Sequence, residues 1–178
     1  MFRPYGPPPD RFSGAVRLQT GRLILALGWA SKLKTMEFIM EGPSVVALVG
    51  FISWTLLLLI VMEVIRSWLV IARKFPANEF KPDNSNLSPF MQRLARAHAN
   101  CVEGLPIFGG LLLVSLVTGQ ASVTDPMAYF LLAARIAQST AHLVSLSVAA
   151  VNIRFACFAV QVVIGAIWAI QMFGAALK

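Results

Sequence analysis

The sequence predicts an all-α membrane protein, a bundle of four transmembrane helices. Two observations carry that expectation. Hydrophobic residues make up 57% of the 178 and charged residues only 13%, with a mean hydropathy of +0.72; a soluble domain carries about a quarter charged residues. The apolar residues also gather into four long uncharged runs, divided by polar or turn-forming segments. Such a composition excludes a disordered chain and argues against a water-soluble globule. Two cysteines, Cys101 and Cys157, are too few for a disulfide scaffold and have no metal-like spacing to each other or to His98 and His142. No metal site is expected.

The net charge of +7 is unevenly placed. Residues 1–35 carry +5, from Arg3, Arg11, Arg17, Arg22, Lys32 and Lys34 against Asp10, and residues 36–178 carry only +2. The basicity belongs to a leader, and no basic patch interleaved with aromatics is present to grip a nucleic acid. Nucleic acid is therefore not an expected partner. We assign residues 1–43 to a disordered, Pro-rich leader or upstream extension, because Arg3-Pro4-Tyr5-Gly6-Pro7-Pro8-Pro9 cannot propagate a helix or strand. Leu23 to Ala30 has the length of a signal-peptide core, but no small-x-small cleavage site follows it. Met36 and Met40 stand as alternative starts ahead of the membrane domain, residues 44–178.

The first span is Ser44 to Met62, 19 uncharged residues continuing helically to about Ala72; a spanning helix needs ~20. Pro76, Pro82, Asp83, Asn84 and Asn86 then mark a polar loop. Ser88 is a plausible N-cap with Pro89 at the first helical position, opening a helix that continues through the second apolar run, Gly104 to Thr124. One helix from Ser88 to Thr118 would be about 46 Å long, so its first turns stand proud of the ~30 Å hydrocarbon core or line a protected cavity. Gly119, Asp125 and Pro126 read as a tight turn. The third run, Ile136 to Asn152, has 17 residues and reaches spanning length only by starting near Pro126 and including Arg135. Ser145 to Asn152 forms the next connection. Arg154 opens the fourth helix, whose run from Phe155 to Leu177 has 23 residues. Arg73, Lys74, Lys81, Arg93 and Arg96 lie in or beside the first loop and Arg154 beside the third, so the positive-inside bias places both loops in the cytoplasm and the termini opposite.

Ionisable groups at membrane depth are costly and mark function by default. On the second helix Arg93, Arg96, Asn100 and Glu103 are spaced 3, 4 and 3 apart and share a face, while His98 points roughly the other way. On the third, Arg135, Gln138, Ser139 and His142 share a face. With Arg154 these stripes suit an anionic, amide-rich ligand: Arg grips carboxylates with a planar fork, and Asn and Gln recognise peptide amides. Plainer roles stand beside this one. Glu103 neutralises Arg96 or Arg135, Asn100 and His98 bridge helices, Cys101 is a small buried hydrophobe, Pro106 kinks the second helix, and Glu63 pairs with Arg66.

The run Arg96-Ala97-His98-Ala99-Asn100-Cys101-Val102-Glu103-Gly104-Leu105-Pro106-Ile107-Phe108 resembles the second-helix signature of the membrane-associated proteins in eicosanoid and glutathione metabolism, the MAPEG family. The resemblance extends from about Pro43 to Leu177. It implies homotrimers of four-helix subunits, with glutathione as bound thiol co-substrate between neighbouring subunits. Carried over by position, it implies that Arg96, Asn100 and Glu103 contact the tripeptide, that His98 adjoins it, and that Arg135 matches the third-helix arginine; Gln138 and Ser139 join the candidate site because they share its face. Arg154 resembles the arginine that steadies the thiolate; by chemistry alone either His142 or Ser139 is able to donate a hydrogen bond to the sulfur. His142 stands where well-known enzymes carry tyrosine, Gly104 where some members carry an aromatic residue, and twelve residues lead from His142 to Arg154. These departures point to the little-characterised bacterial branch and so to the inner (plasma) membrane. The expected function is a glutathione-dependent transferase or peroxidase acting on lipophilic small molecules that enter from membrane lipid. The alternative is a non-catalytic trimer that binds a lipid or a partner protein.

Overall fold

In the computed structural model the chain divides into units Met1–Met40 and Glu41–Lys178. The structure describes residues 42–177 and, from the first unit, Trp29. The expectation for a leader thus falls, up to residue 41, almost wholly outside the described residues. Within 42–177 the long elements are four helices: α1, Pro43–Ile71; α2, Pro89–Val117; α3, Ala121–Val144; and α4, Val148–Ala176.

Helix α1 starts at a proline, whose fixed φ suits the first helical position and whose missing N–H is no loss there. The Asp125 carboxylate on α3 serves as its cap, accepting from the Ser44 N–H at 3.0 Å and the Ser44 hydroxyl at 2.6 Å. One stripe is buried, Ser44, Ala47, Phe51, Thr55, Leu58 and Met62. The rest of the surface shows Val46, Val49, Ile52, Leu56, Leu57, Ile60 and Val64 to the surroundings. A contiguous apolar face of that length is what lipid requires. The following loop is folded over the fully buried Asn84, which accepts from Arg66 Nε at 3.1 Å and donates to the Met91 carbonyl at 3.0 Å.

Ser88 caps α2 as expected, its hydroxyl accepting from the Met91 N–H. The helix is continuous from Pro89 to Val117 except for a π-helical turn at Leu105–Gly109. Pro106 has no N–H to give to the preceding turn. The chain absorbs the defect by taking in an extra residue, with the Gly110 N–H reaching back to the Leu105 carbonyl. The expected kink is thus a π-bulge.

The third span needs correction. The turn after α2 is confined to Thr118–Gln120, with Gly119 at φ 71°. Asp125 and Pro126, expected in that turn, lie inside α3. Helix α3 ends at Val144, where the expected connection begins, but that connection is only Ser145–Ser147 and not Ser145–Asn152, because Ser147 starts α4 by accepting from the Ala150 N–H. Arg154 therefore sits almost two turns into α4 instead of opening it. Three helices, α1, α2 and α4, are long and apolar enough to cross a membrane. Helix α3, expected as a fourth span, is not apolar enough. It packs against the other three helices and buries Thr124, Ala128, Leu131, Arg135, Gln138 and Ser139, so protein replaces lipid around its polar groups. The described residues accordingly form an all-helical membrane domain.

Candidate functional site

The polar stripes of α2 and α3 converge on two adjoining grooves. The first, about 680 Å³, is edged by Arg93 and Arg96 of α2, His142 of α3 and Arg154 of α4, with Asp83 and Ser85 of the loop on its rim. Arg93 is tied down by its Nε donating to the Leu143 carbonyl at 2.9 Å. Arg154 donates through a terminal nitrogen to His142 Nδ1 at 2.8 Å. A guanidinium can only donate, so Nδ1 accepts and the ring proton lies on Nε2. The Asn100 amide faces Nε2 at 3.0 Å. That proton needs an acceptor, so the amide directs its oxygen to the ring, a half-turn that exchanges two atoms of near-equal size. Asn100, His142 and Arg154 thus form one chain across three helices. Arg96 is exposed and makes no side-chain hydrogen bond or ion pair among the described residues. On the rim, the Ser85 backbone N–H and then its hydroxyl hold the Asp83 carboxyl below the usual carboxylate range.

The second groove, about 740 Å³, runs between α2 and α4. Asn100 and Glu103 stand along its α2 side, Arg135 lines its floor, and Phe108, Phe158 and Val162 supply apolar wall. Glu103 is exposed, and the expected pairing with Arg96 or Arg135 is not formed; the one ion pair among the described residues is Arg66–Glu63, at 3.0 Å as anticipated. Arg135 is 1% exposed. One of its terminal nitrogens donates to the Asn100 carbonyl at 3.1 Å, and its carbon lies 4.9 Å from the Phe51 ring centre and 5.6 Å from that of Phe108. Its Nε and other terminal nitrogen have no hydrogen-bond partner. Gly104 makes the placement possible, because a Cβ there would meet the second terminal nitrogen and lie 2.9 Å from the guanidinium carbon.

Other expected site residues go elsewhere. Gln138 accepts from Gln161 Nε2 at 3.0 Å, buried between α3 and α4. The Ser139 hydroxyl bonds to the Arg135 carbonyl at 2.9 Å and contacts the Cys101 sulfur at 3.2 Å. Neither residue lines the grooves, nor does His98, about 200° around α2 from Arg96. Cys101 is fully buried, the packing role stated for it. No cluster able to hold a metal ion is present among the described residues. Gly104 and Gln161 are the residues that spacing did not single out. Gln161 had a signal, an amide deep within an apolar span and seven residues from Arg154. Gly104 stood out only as a departure from the family pattern, and its importance is the space it leaves.

Comparison with individually described proteins and with solved structures finds no significant match. A family model does match, over residues 45–174, which takes in all four helices but for the ends of α1 and α4. With the α2 stripe in place against Arg135 and Arg154, the chain belongs to the MAPEG family.

Proposed function

We propose that this protein is a membrane-embedded, glutathione-dependent transferase or peroxidase that conjugates or reduces lipophilic electrophiles. The family includes glutathione transferases and peroxidases beside other members. One juxtaposition carries the reading: a groove edged by three arginines opens beside an apolar groove, with Asn100 and His142 at the junction. Glutathione has two carboxylates, an ammonium, two amides and a thiol. Arg96 and Arg93 match a carboxylate, Glu103 the ammonium, and Asn100 a peptide amide. Arg135, buried at the groove floor, supplies positive charge for the other carboxylate. A free thiol of this kind has a pKa of ~8.5 and is mostly protonated at neutral pH. A guanidinium beside the sulfur favours the thiolate. Arg154 is suited to that role because His142 fixes its direction. In conjugation the sulfur lone pair forms the S–C bond while the broken bond's electrons leave with the departing atom. The apolar groove admits the electrophile from the bilayer.

We further infer that three copies assemble, with neighbouring subunits closing the exposed grooves. In support, a third groove of about 690 Å³ between α3 and α4 is lined by Ala133, Ala137, Ala141, Ala149 and Ala150, residues small enough for a neighbour's helix to approach closely. Helix α3 crosses the membrane inside the bundle, as its 24 residues and the three-residue turn on either side favour. The first loop, with Arg73, Lys74 and Lys81, and the third loop on the same side face the cytoplasm, and the inner bacterial membrane is the proposed location. Isothermal titration of glutathione into the detergent-solubilised protein tests the assignment. Binding should weaken at least tenfold in Arg96→Ala, the loss expected for a charged hydrogen bond worth about 1.5–3 kcal/mol. An ultraviolet thiolate band should appear with glutathione and vanish in Arg154→Ala. No binding at millimolar glutathione refutes the proposal and favours a non-catalytic trimer holding a lipid or partner.

A further inference from the structure

Helix α1 ends in a motif that favours glycine and carries arginine. The Lys74 N–H bonds to the Leu69 carbonyl and the Arg73 N–H to the Val70 carbonyl, both at 2.9 Å, with Arg73 left-handed at φ 52°. Glycine is the usual residue there because a Cβ is disfavoured in that conformation. A strained position kept for a long cationic side chain suggests that the side chain has a task. Arg73 and Lys74 are both exposed, and neither lies within ion-pair distance of a carboxylate among the described residues. The Lys74 ammonium rests 4.4 Å from the ring centre of Trp68, itself 54% exposed. Below these cations a groove of about 450 Å³ runs down the outward face of α1, lined by Ile60, Val64, Trp68 and Ile71 with Glu63 and Ser67. Its one acid, Glu63, is already paired with Arg66 at 3.0 Å.

We propose that this end of α1 binds an anionic phospholipid. The phosphate sits on Arg73 and Lys74, the Trp68 indole lies at headgroup level, and one acyl chain follows the groove along Val64 and Ile60. Charge complementarity selects an anion, and the apolar groove directly beneath selects a lipid over a free phosphate. The site lies apart from the grooves assigned to glutathione and does not depend on that assignment.

The test uses the full chain in phosphatidylcholine vesicles containing an increasing mole fraction of dibrominated lipid, either phosphatidylglycerol or phosphatidylcholine. Bromine quenches nearby tryptophan, and the Trp68 signal is the difference between wild type and Trp68→Phe. The phosphatidylglycerol form should quench Trp68 at far lower mole fraction than the phosphatidylcholine form. At about fivefold per cation, the double variant Arg73→Gly/Lys74→Gln should lower that preference by roughly 25-fold. Glycine suits the backbone at position 73, so the helix end survives the change. Equal quenching by the two lipids, or an undiminished preference in the double variant, overturns the proposal. Reversal by millimolar inorganic phosphate overturns the lipid assignment in favour of a free anion.

Discussion

Gly104→Ala adds one methyl group, and the structure gives it nowhere to go. The new Cβ would lie 2.9 Å from the Arg135 guanidinium carbon and closer still to a terminal nitrogen. Arg135 is 1% exposed and packed by Phe51 and Phe108, so the guanidinium cannot swing into solvent without leaving the core. It would give up the hydrogen bond to the Asn100 carbonyl, worth about 1.5–3 kcal/mol for a charged donor. The contacts to the two rings would weaken as well, by about 0.5–2 kcal/mol. Alanine returns about 1 kcal/mol through its better helix propensity. The net expectation is a loss of roughly 2 kcal/mol, read from unfolding by sodium dodecyl sulfate in mixed micelles followed by circular dichroism. The same substitution in an Arg135→Gln background should cost little, because the clashing group is gone. If Gly104→Ala stabilises the wild type, or costs as much in the Arg135→Gln background, the steric reasoning is refuted.

Three other substitutions probe the bundle away from the grooves. Asp125→Ala removes the cap on α1 and should cost about 1 kcal/mol. Hydrogen exchange should accelerate at residues 44–47 specifically, and unchanged exchange there would count against the cap. Gln161→Leu breaks the bond to Gln138 and should destabilise by about 0.6 kcal/mol, at most ~1.7; adding Gln138→Leu should recover part of that loss in the same unfolding assay. Arg73→Gly relieves the left-handed strain and should raise stability by about 1 kcal/mol. A lower unfolding midpoint would mean that the guanidinium supports the fold itself.

The stripe on α2 is legible from spacing alone, because Arg96, Asn100 and Glu103 are periodic within one uninterrupted helical stretch, and both Ser88 and Pro89 announce where it begins. The start of α3 is not legible, and the reason is tertiary. Asp125 followed by Pro126 has the chemistry of a turn, yet its carboxylate belongs to the start of α1, some eighty residues earlier in the chain. Pro126, the sixth residue of α3, forfeits one i→i−4 hydrogen bond without breaking the helix. The break after Val144 is legible, but its end at Ser147 hides within an apolar run because a serine cap needs no charge. The depth of Arg154 follows from that misplaced boundary. Arg135 is identifiable as costly from its type and neighbours, but its cage is not, since Phe51, Gly104 and Phe108 lie on two other helices. Three of the four long helices announce themselves through apolarity; α3 does not, because it is sheltered by its neighbours.

The extra residue taken in at Leu105–Gly109 sets the rotation between the two halves of α2. Each residue turns a helix by about 100°, so the insertion offsets the half of α2 bearing Arg96 and Glu103 from the half bearing Leu112 and Ser115. Both of the latter are wholly buried, and Ser115 bonds Thr124 at 2.8 Å. Excising one residue near Ile107 would restore a regular spiral and swing one half out of alignment with its partners. The bulge therefore works as a phase-shifter, letting the buried residues of both halves, Cys101 before it and Leu112 after it, meet the same bundle.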